Sequence, residues 1–128
     1  MAKLTLGLPK GSLEEATFDI LKKAGYAVQS SARSYNLTID DPEISARLIR
    51  PQDMSRYVEK GVVDAGITGK DWVRENGSEV VAVAELNYSK RQLSSVRWVL
   101  AVPADSPIQS AKDLQGKRIA TELVNVTR

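Results

Sequence analysis

Twice in this chain a short apolar run ends in small and polar residues that open a helix, and that repeated junction restricts the fold more than any other feature. The first is Leu4-Thr5-Leu6-Gly7-Leu8 leading into Pro9-Lys10-Gly11-Ser12, and the second is Val63-Asp64-Ala65-Gly66-Ile67-Thr68 leading into Gly69-Lys70-Asp71. An apolar run followed by helical spacing is the pattern of a strand-helix unit, and open α/β sheets place ligands beyond the carboxyl ends of their strands. Two such junctions imply one anion-binding crevice.

Between and after them the pattern continues. Leu13, Ala16, Ile20, Leu21 and Ala24 recur at helical spacing, with Ser12 as the expected N-cap, acidic residues in the first turn, lysines in the last and Gly25 beyond. Residues 26–31 read as a second strand, 34–42 as an irregular excursion turning at Asp40-Asp41-Pro42, and 43–49 as an alternating strand. Arg50-Pro51 starts a helix striped by Met54, Tyr57 and Val58, which ends at Lys60-Gly61. Further strands are expected over 62–68, 80–84, 97–103 and 117–121. A helix is expected over 70–75, a one-turn helix capped by Ser110, and an opening helical turn over 125–128. Alternating strands and helices predict a parallel sheet covered on both faces. The polar stretch 87–95 has the composition of a crossing between lobes.

Composition narrows the chemistry. The 128 residues contain no cysteine and no histidine, which excludes disulfides, thiolate chemistry, imidazole catalysis and histidine-metal ligation. What is left is lysine, arginine, carboxylates, hydroxyls, backbone amides or a cation held by oxygen. A net charge of +2, without a run of like charges, gives no footprint for nucleic acid. No apolar run reaches the roughly 18 residues of a membrane span and the amino terminus lacks a secretory pattern, so no membrane partner and a cytoplasmic protein are expected.

Lys10, Gly11 and Ser12 put a cation, free amides and a hydroxyl at a helix start, where negative charge is favoured. Gly69, Lys70 and Asp71 repeat that arrangement, Asp71 being able to accept from a ribose or amino hydrogen. Arg50 ends a strand and is placed to clamp a phosphate; Lys90 sits in the polar connector; Glu122 closes the last expected strand and is able to ligate a cation. Each of these also has an ordinary structural reading, as a strand-helix turn, a helix-start carboxylate or a solvated charge. Trp72 and Trp98 are read as core or rim packing.

Taken together, Leu8-Pro9-Lys10-Gly11-Ser12-Leu13, Arg50-Pro51-Gln52-Asp53, Asp64 through Asp71 and Gly116-Lys117-Arg118-Ile119-Ala120-Thr121 resemble the ATP phosphoribosyltransferase family of histidine biosynthesis. The resemblance implies an α/β, type II periplasmic-binding-protein-like, two-lobed fold, with residues 1–95 as the first lobe lacking its returning strand and 96–128 as the crossover and start of a truncated second lobe. It also implies condensation of ATP with phosphoribosyl pyrophosphate, with Mg²⁺ on the substrate phosphates. A homo-oligomer follows, or, for the short form, a regulatory subunit. Lys10, Gly11 and Arg50 would contact phosphate or adenine, Asp71 the nucleotide or ribose, and Lys90 the cleft. The family often has arginine where this chain has Ser12. Its Thr-Gly-Thr-like donor loop is not among the 128 residues, so the isolated chain is expected to have little or no transferase activity. The competing readings are a non-catalytic solute-binding-type module and an engineered half-protein of the same fold.

Overall fold

In the computed structural model, which describes residues 3–31, 33–86 and 98–128, the chain runs β1 (Leu4–Pro9), α1 (Glu14–Lys23), β2 (Val28–Ser30), β3 (Asn36–Ile39), β4 (Ile44–Ile49), α2 (Pro51–Glu59), β5 (Ala65–Gly66) and α3 (Lys70–Asn76). A 3₁₀ turn at Ala111–Leu114 and a short α4 (Val124–Thr127) follow. The five strands form one sheet in the order β2-β3-β4-β1-β5. Its centre is parallel: β1 pairs with β4 from Leu4 against Ile44 to Pro9 against Ile49, and with β5 at Leu6 against Ala65.

Side-chain alternation along these strands splits the core in two. Leu8, Leu37, Ala46 and Leu48 pack with Phe18 and Leu21 of α1, whereas Ile49 and Val63 pack with Met54 and Val58 of α2. Helices therefore cover both faces, as the alternation predicts. Helix α1 turns a face slightly different from the expected one, burying Thr17 and leaving Ala24 exposed. The Thr17 hydroxyl donates to the Leu13 carbonyl at 2.6 Å, which offsets the cost of burying it.

Several expectations are corrected. The sheet is mixed, because β2 and β3 pair antiparallel and β3 runs antiparallel to β4. The excursion expected over 34–42 contains β3: Leu37 and Ile39 are buried while Asn36 and Thr38 are exposed, a period of two carried by only two apolar residues. Its turn stands, with the Asp41 carboxylate accepting from the Glu43 amide at 2.8 Å. Ser12 does not cap α1; Leu13 occupies that position without a side-chain bond, and the turn is carried by Gly11 at φ +104°.

The strand expected over 62–68 narrows to β5, although Asp64 N–H to the Thr5 carbonyl and Ile67 N–H to the Gly7 carbonyl continue its pairing with β1. No strand forms at 80–84, 98–103 or 117–121. Alternation there lacks a neighbouring strand among the described residues, and Val81 and Val83 stand in solvent, 86% and 92% exposed. Arg97 and the connector 87–95 lie outside the described residues. The Ser110 turn does form, as a capping box with Asp113, and so does the helical turn near 125–128. Among the described residues no helix is long and apolar enough to cross a membrane.

Close approach of α2 to the sheet rests on two glycines. A Cβ on Gly7 would lie 2.5 Å from the Met54 sulfur, and one on Gly66 would lie 2.6 Å from it. Gly66→Ala is expected to destabilise the fold by about 1–3 kcal/mol through overpacking, and Met54→Ala by about 2–5 kcal/mol through the cavity it leaves. Because the two groups compete for one space, chemical denaturation of the double variant should give less than the sum of the single losses. A strictly additive result would contradict this packing.

Candidate functional site

Parallel register brings three strand-to-helix junctions to one edge of the sheet. Past the end of β1, the Lys10 amide donates to the Ile49 carbonyl at 2.9 Å, so Lys10 stands beside Arg50 at the end of β4. On the other side of β1, the loop after β5 is tied to the start of α2 by Thr68 Oγ1 donating to the Pro51 carbonyl at 2.8 Å. Lys10, Arg50 and Gly69-Lys70 thus follow three adjacent strands. Helix N-termini and cations at such an edge suit an anion.

Two hollows open there. One of about 460 Å³ is lined by Lys10, Arg50, Asp53, Tyr35 and Tyr57 over Leu48 and Ile49. A second of about 280 Å³ shares Lys10, Tyr35 and Leu48 and adds Arg33, Glu14, Ser30, Ser31 and Ser34, the Ser34 hydroxyl accepting from the Asn36 amide at 3.1 Å. Lys10 Nζ donates to the Tyr35 hydroxyl at 3.2 Å and lies 4.3 Å from the ring centroid, a cation-π contact at the boundary between them.

The junctions are already engaged by the chain's own groups. Arg50 donates through Nε and Nη2 to Asp53 at 3.1 and 2.9 Å, with Arg56 at 4.0 Å from the other oxygen, so Asp53 is shared by two guanidinium groups and leaves the cluster net positive. Glu14 reaches back to the Gly11 amide at 3.4 Å, a long contact that an incoming anion can displace. Ser12 is exposed.

At the third junction the Asp71 carboxylate accepts from the Trp72 amide and from Trp98 Nε1, each at 2.9 Å. It curls over Gly69, where any side chain would collide with it. Trp72 and Trp98 meet edge to face at 6.4 Å, the rim packing expected of them. Lys70 is paired with Glu85, both side chains being largely exposed.

Glu122 is exposed in the turn before α4, and among the described residues no hydrogen bond or ion pair joins it to Lys10, Arg50 or Lys70. Lys90 lies outside the described residues. Among the described residues no group of three or more carboxylates gathers to hold a metal.

Several participants are not singled out as binding residues by the sequence, Arg33 and the serines of the smaller hollow among them. Tyr35 is an isolated aromatic in a serine-rich polar stretch, and that isolation was the available signal. Tyr57 was counted only as part of an apolar stripe, yet it is 39% exposed beside the larger hollow. Glu75, 7% exposed, accepts from the amides of Asn125 and Val126 at 2.9 and 2.8 Å and thereby seats α4 against α3. No local pattern announces a carboxylate paired across 50 residues.

Residues 50–128 match the family model HisG, described as ATP phosphoribosyltransferase. A protein of that name from Koribacter versatilis is 64% identical over 125 residues, covering 98% of this chain and 43% of the relative. Another from Desulforudis audaxviator is 60% identical over 126 residues, covering 98% and 44%. The chain therefore spans about two fifths of the length of these curated relatives. Among solved structures, an ATP phosphoribosyl transferase (HisG:HisZ) complex from Thermotoga maritima superposes with a TM-score of 0.56 at 28% identity, covering 66% of this chain and 40% of the other.

The Lys70 ammonium, by hydrogen bond and by charge, holds the Glu85 carboxyl below the usual carboxylate range. A lowered folded-state value means that the pair supports the fold above the ordinary glutamate pKa and that this support is lost as pH falls through the folded value. In an NMR titration Glu85 should protonate at lower pH than an isolated glutamate, and Lys70→Met should return it to the ordinary range. An unchanged midpoint in that variant would show that the pair does not form in solution.

Proposed function

Because the chain belongs to the ATP phosphoribosyltransferase family, we propose that it supplies the nucleotide-handling part of an enzyme that joins ATP to phosphoribosyl pyrophosphate in the first step of histidine biosynthesis. The observation that supports this most is that Lys10 and Arg50, after two adjacent strands, line one hollow of about 460 Å³, while Gly69-Lys70 follows the third strand beside them. In the reaction, the adenine N1 lone pair forms a bond to C1 of the ribosyl donor while the C1–O bond breaks and its electron pair leaves with pyrophosphate. Neither thiol nor imidazole is needed. The protein's task is to align two polyanions and to stabilise the leaving group, for which fixed cations and backbone amides are effective.

Within this reading Lys10, Gly11 and Arg50 contact phosphate or adenine, with the exposed Ser12 beside them. Lys70 exchanges Glu85 for a substrate oxygen, and Asp71 turns from the tryptophans toward the ribose. Glu122 belongs to the opposite wall of the cleft. Mg²⁺ would be carried by the substrate phosphates, where it would neutralise part of their charge, and the exposed Glu122 is the carboxylate that would be open to it.

The same proposal includes the two-lobed, type II periplasmic-binding-protein-like architecture, with residues 1–95 in the first lobe and 96–128 beginning the second. Exposed, unpaired apolar residues such as Val99, Leu100 and Ile119 support strands that acquire partners in a larger assembly. That the solved relative is a HisG:HisZ complex supports assembly with further copies or with a regulatory subunit. The same reading includes a cytoplasmic location.

Calorimetric titration tests the reading. The purified chain should bind ATP and phosphoribosyl pyrophosphate in the presence of Mg²⁺, and Lys10→Ala and Arg50→Ala should each weaken binding about tenfold, the loss expected for one charge-assisted contact. The 128 residues alone should form little phosphoribosyl-ATP. Binding of amino acids with no binding of either polyanion would overturn the proposal in favour of a solute-binding module.

A further inference from the structure

We propose that Tyr35 is the stacking platform for the nucleobase and that it divides the site into a base pocket and a polyphosphate pocket. This rests on the nucleotide reading above and deepens it by assigning each hollow a part of the ligand.

The ring is held in place without being covered. Its own carbonyl accepts from the Leu48 amide at 2.7 Å, which anchors the residue to β4 just before β3 begins. The side chain nevertheless remains 62% exposed, an unusual state for a tyrosine fixed at a sheet edge. Lys10 Nζ lies on the ring at 4.3 Å from the centroid, which leaves the rest of the aromatic surface to a neutral planar group.

The two hollows share Lys10, Tyr35 and Leu48 and differ in the residues that complete them. Beyond the buried Leu48 that both share, the larger has buried Ile49 beneath it and a second tyrosine, Tyr57, on its wall, while its cation Arg50 is already bonded to Asp53. Apolar floor, aromatic walls and a salt-bridged Arg50–Asp53 pair that can hydrogen-bond a ring edge suit a purine. The smaller hollow is completed by Ser30, Ser31, Ser34 and Arg33, which among the described residues makes no ion pair, with Glu14 as its acidic residue. Hydroxyls and an unengaged guanidinium suit phosphate oxygens. Lys10 borders both, so on binding it moves from the Tyr35 hydroxyl to the polyphosphate.

Titration of the purified protein with ATP and, separately, with inorganic tripolyphosphate, both with Mg²⁺, tests the assignment. Tyr35→Ala should weaken ATP about tenfold to a hundredfold, the range for loss of one base-aromatic stack, and leave tripolyphosphate within about twofold of the parent. Tyr35→Phe should keep ATP affinity within about threefold, because it keeps the ring. Circular dichroism and the thermal midpoint of Tyr35→Ala should match the parent, since the side chain is exposed. Equal losses for both ligands would overturn the proposal by showing that Tyr35 acts only through Lys10, and so would an unchanged ATP affinity. A parent protein that binds neither ligand would instead overturn the nucleotide reading itself, and this assignment with it.

Discussion

Met54 is the side chain on which the geometry depends. It is fully buried, and its thioether occupies the space that a Cβ on Gly7 or on Gly66 would need. Two neighbouring strands are thus bare at the same level, and α2 can lie close to both. That closeness decides where α2 begins. Its first residue, Pro51, follows Arg50 at the end of β4, and the Pro51 carbonyl receives Thr68 from the loop after β5. A flexible sulfur side chain suits such a position, because it fills irregular space between backbones that a branched residue would push apart.

Electrostatics at this edge are arranged as exchangeable pairs. Arg50 is held by Asp53, Lys70 by Glu85, Lys10 by the Tyr35 hydroxyl, and the Gly11 amide by Glu14. Exposed pairs of this kind contribute little to stability. In the proposed reading they keep the cations oriented in the free protein, so that a polyanion replaces the weak internal partners of Lys10 and Lys70 with little rearrangement of the backbone. Asp71 is held differently, by an amide and an indole N–H, and through Trp98 it connects the third junction to the segment beyond residue 97.

How much could be read from the sequence differs from element to element. The strands β1 and β4 and the helices α1 to α3 were legible because periodicity, proline at the first turn of α2 and Gly77 in the left-handed conformation after α3 all agree. The family resemblance was legible in the motifs at the strand ends, and the comparisons agree with it. Strand β3 was not, since two apolar residues among polar neighbours give too short an alternation. The stretches 80–84, 98–103 and 117–121 show the opposite error: their alternation is genuine, but a strand exists only when another strand accepts its hydrogen bonds, and that information is not local. Tyr35 and Glu75 were missed for the same reason. Their meaning lies in partners 25 and 50 residues away in sequence.

In the proposed reading the carboxyl ends of β1, β4 and β5 form one continuous binding edge. Amide chemical-shift mapping of the isotope-labelled protein, titrated with Mg²⁺-ATP, tests it most directly. The account predicts that the largest shifts cluster at Lys10-Gly11, Arg50 and Thr68-Gly69-Lys70 and saturate together. Shifts concentrated at the opposite ends of these strands, around Leu4 and Ile44, or three junctions responding with different affinities, would contradict it.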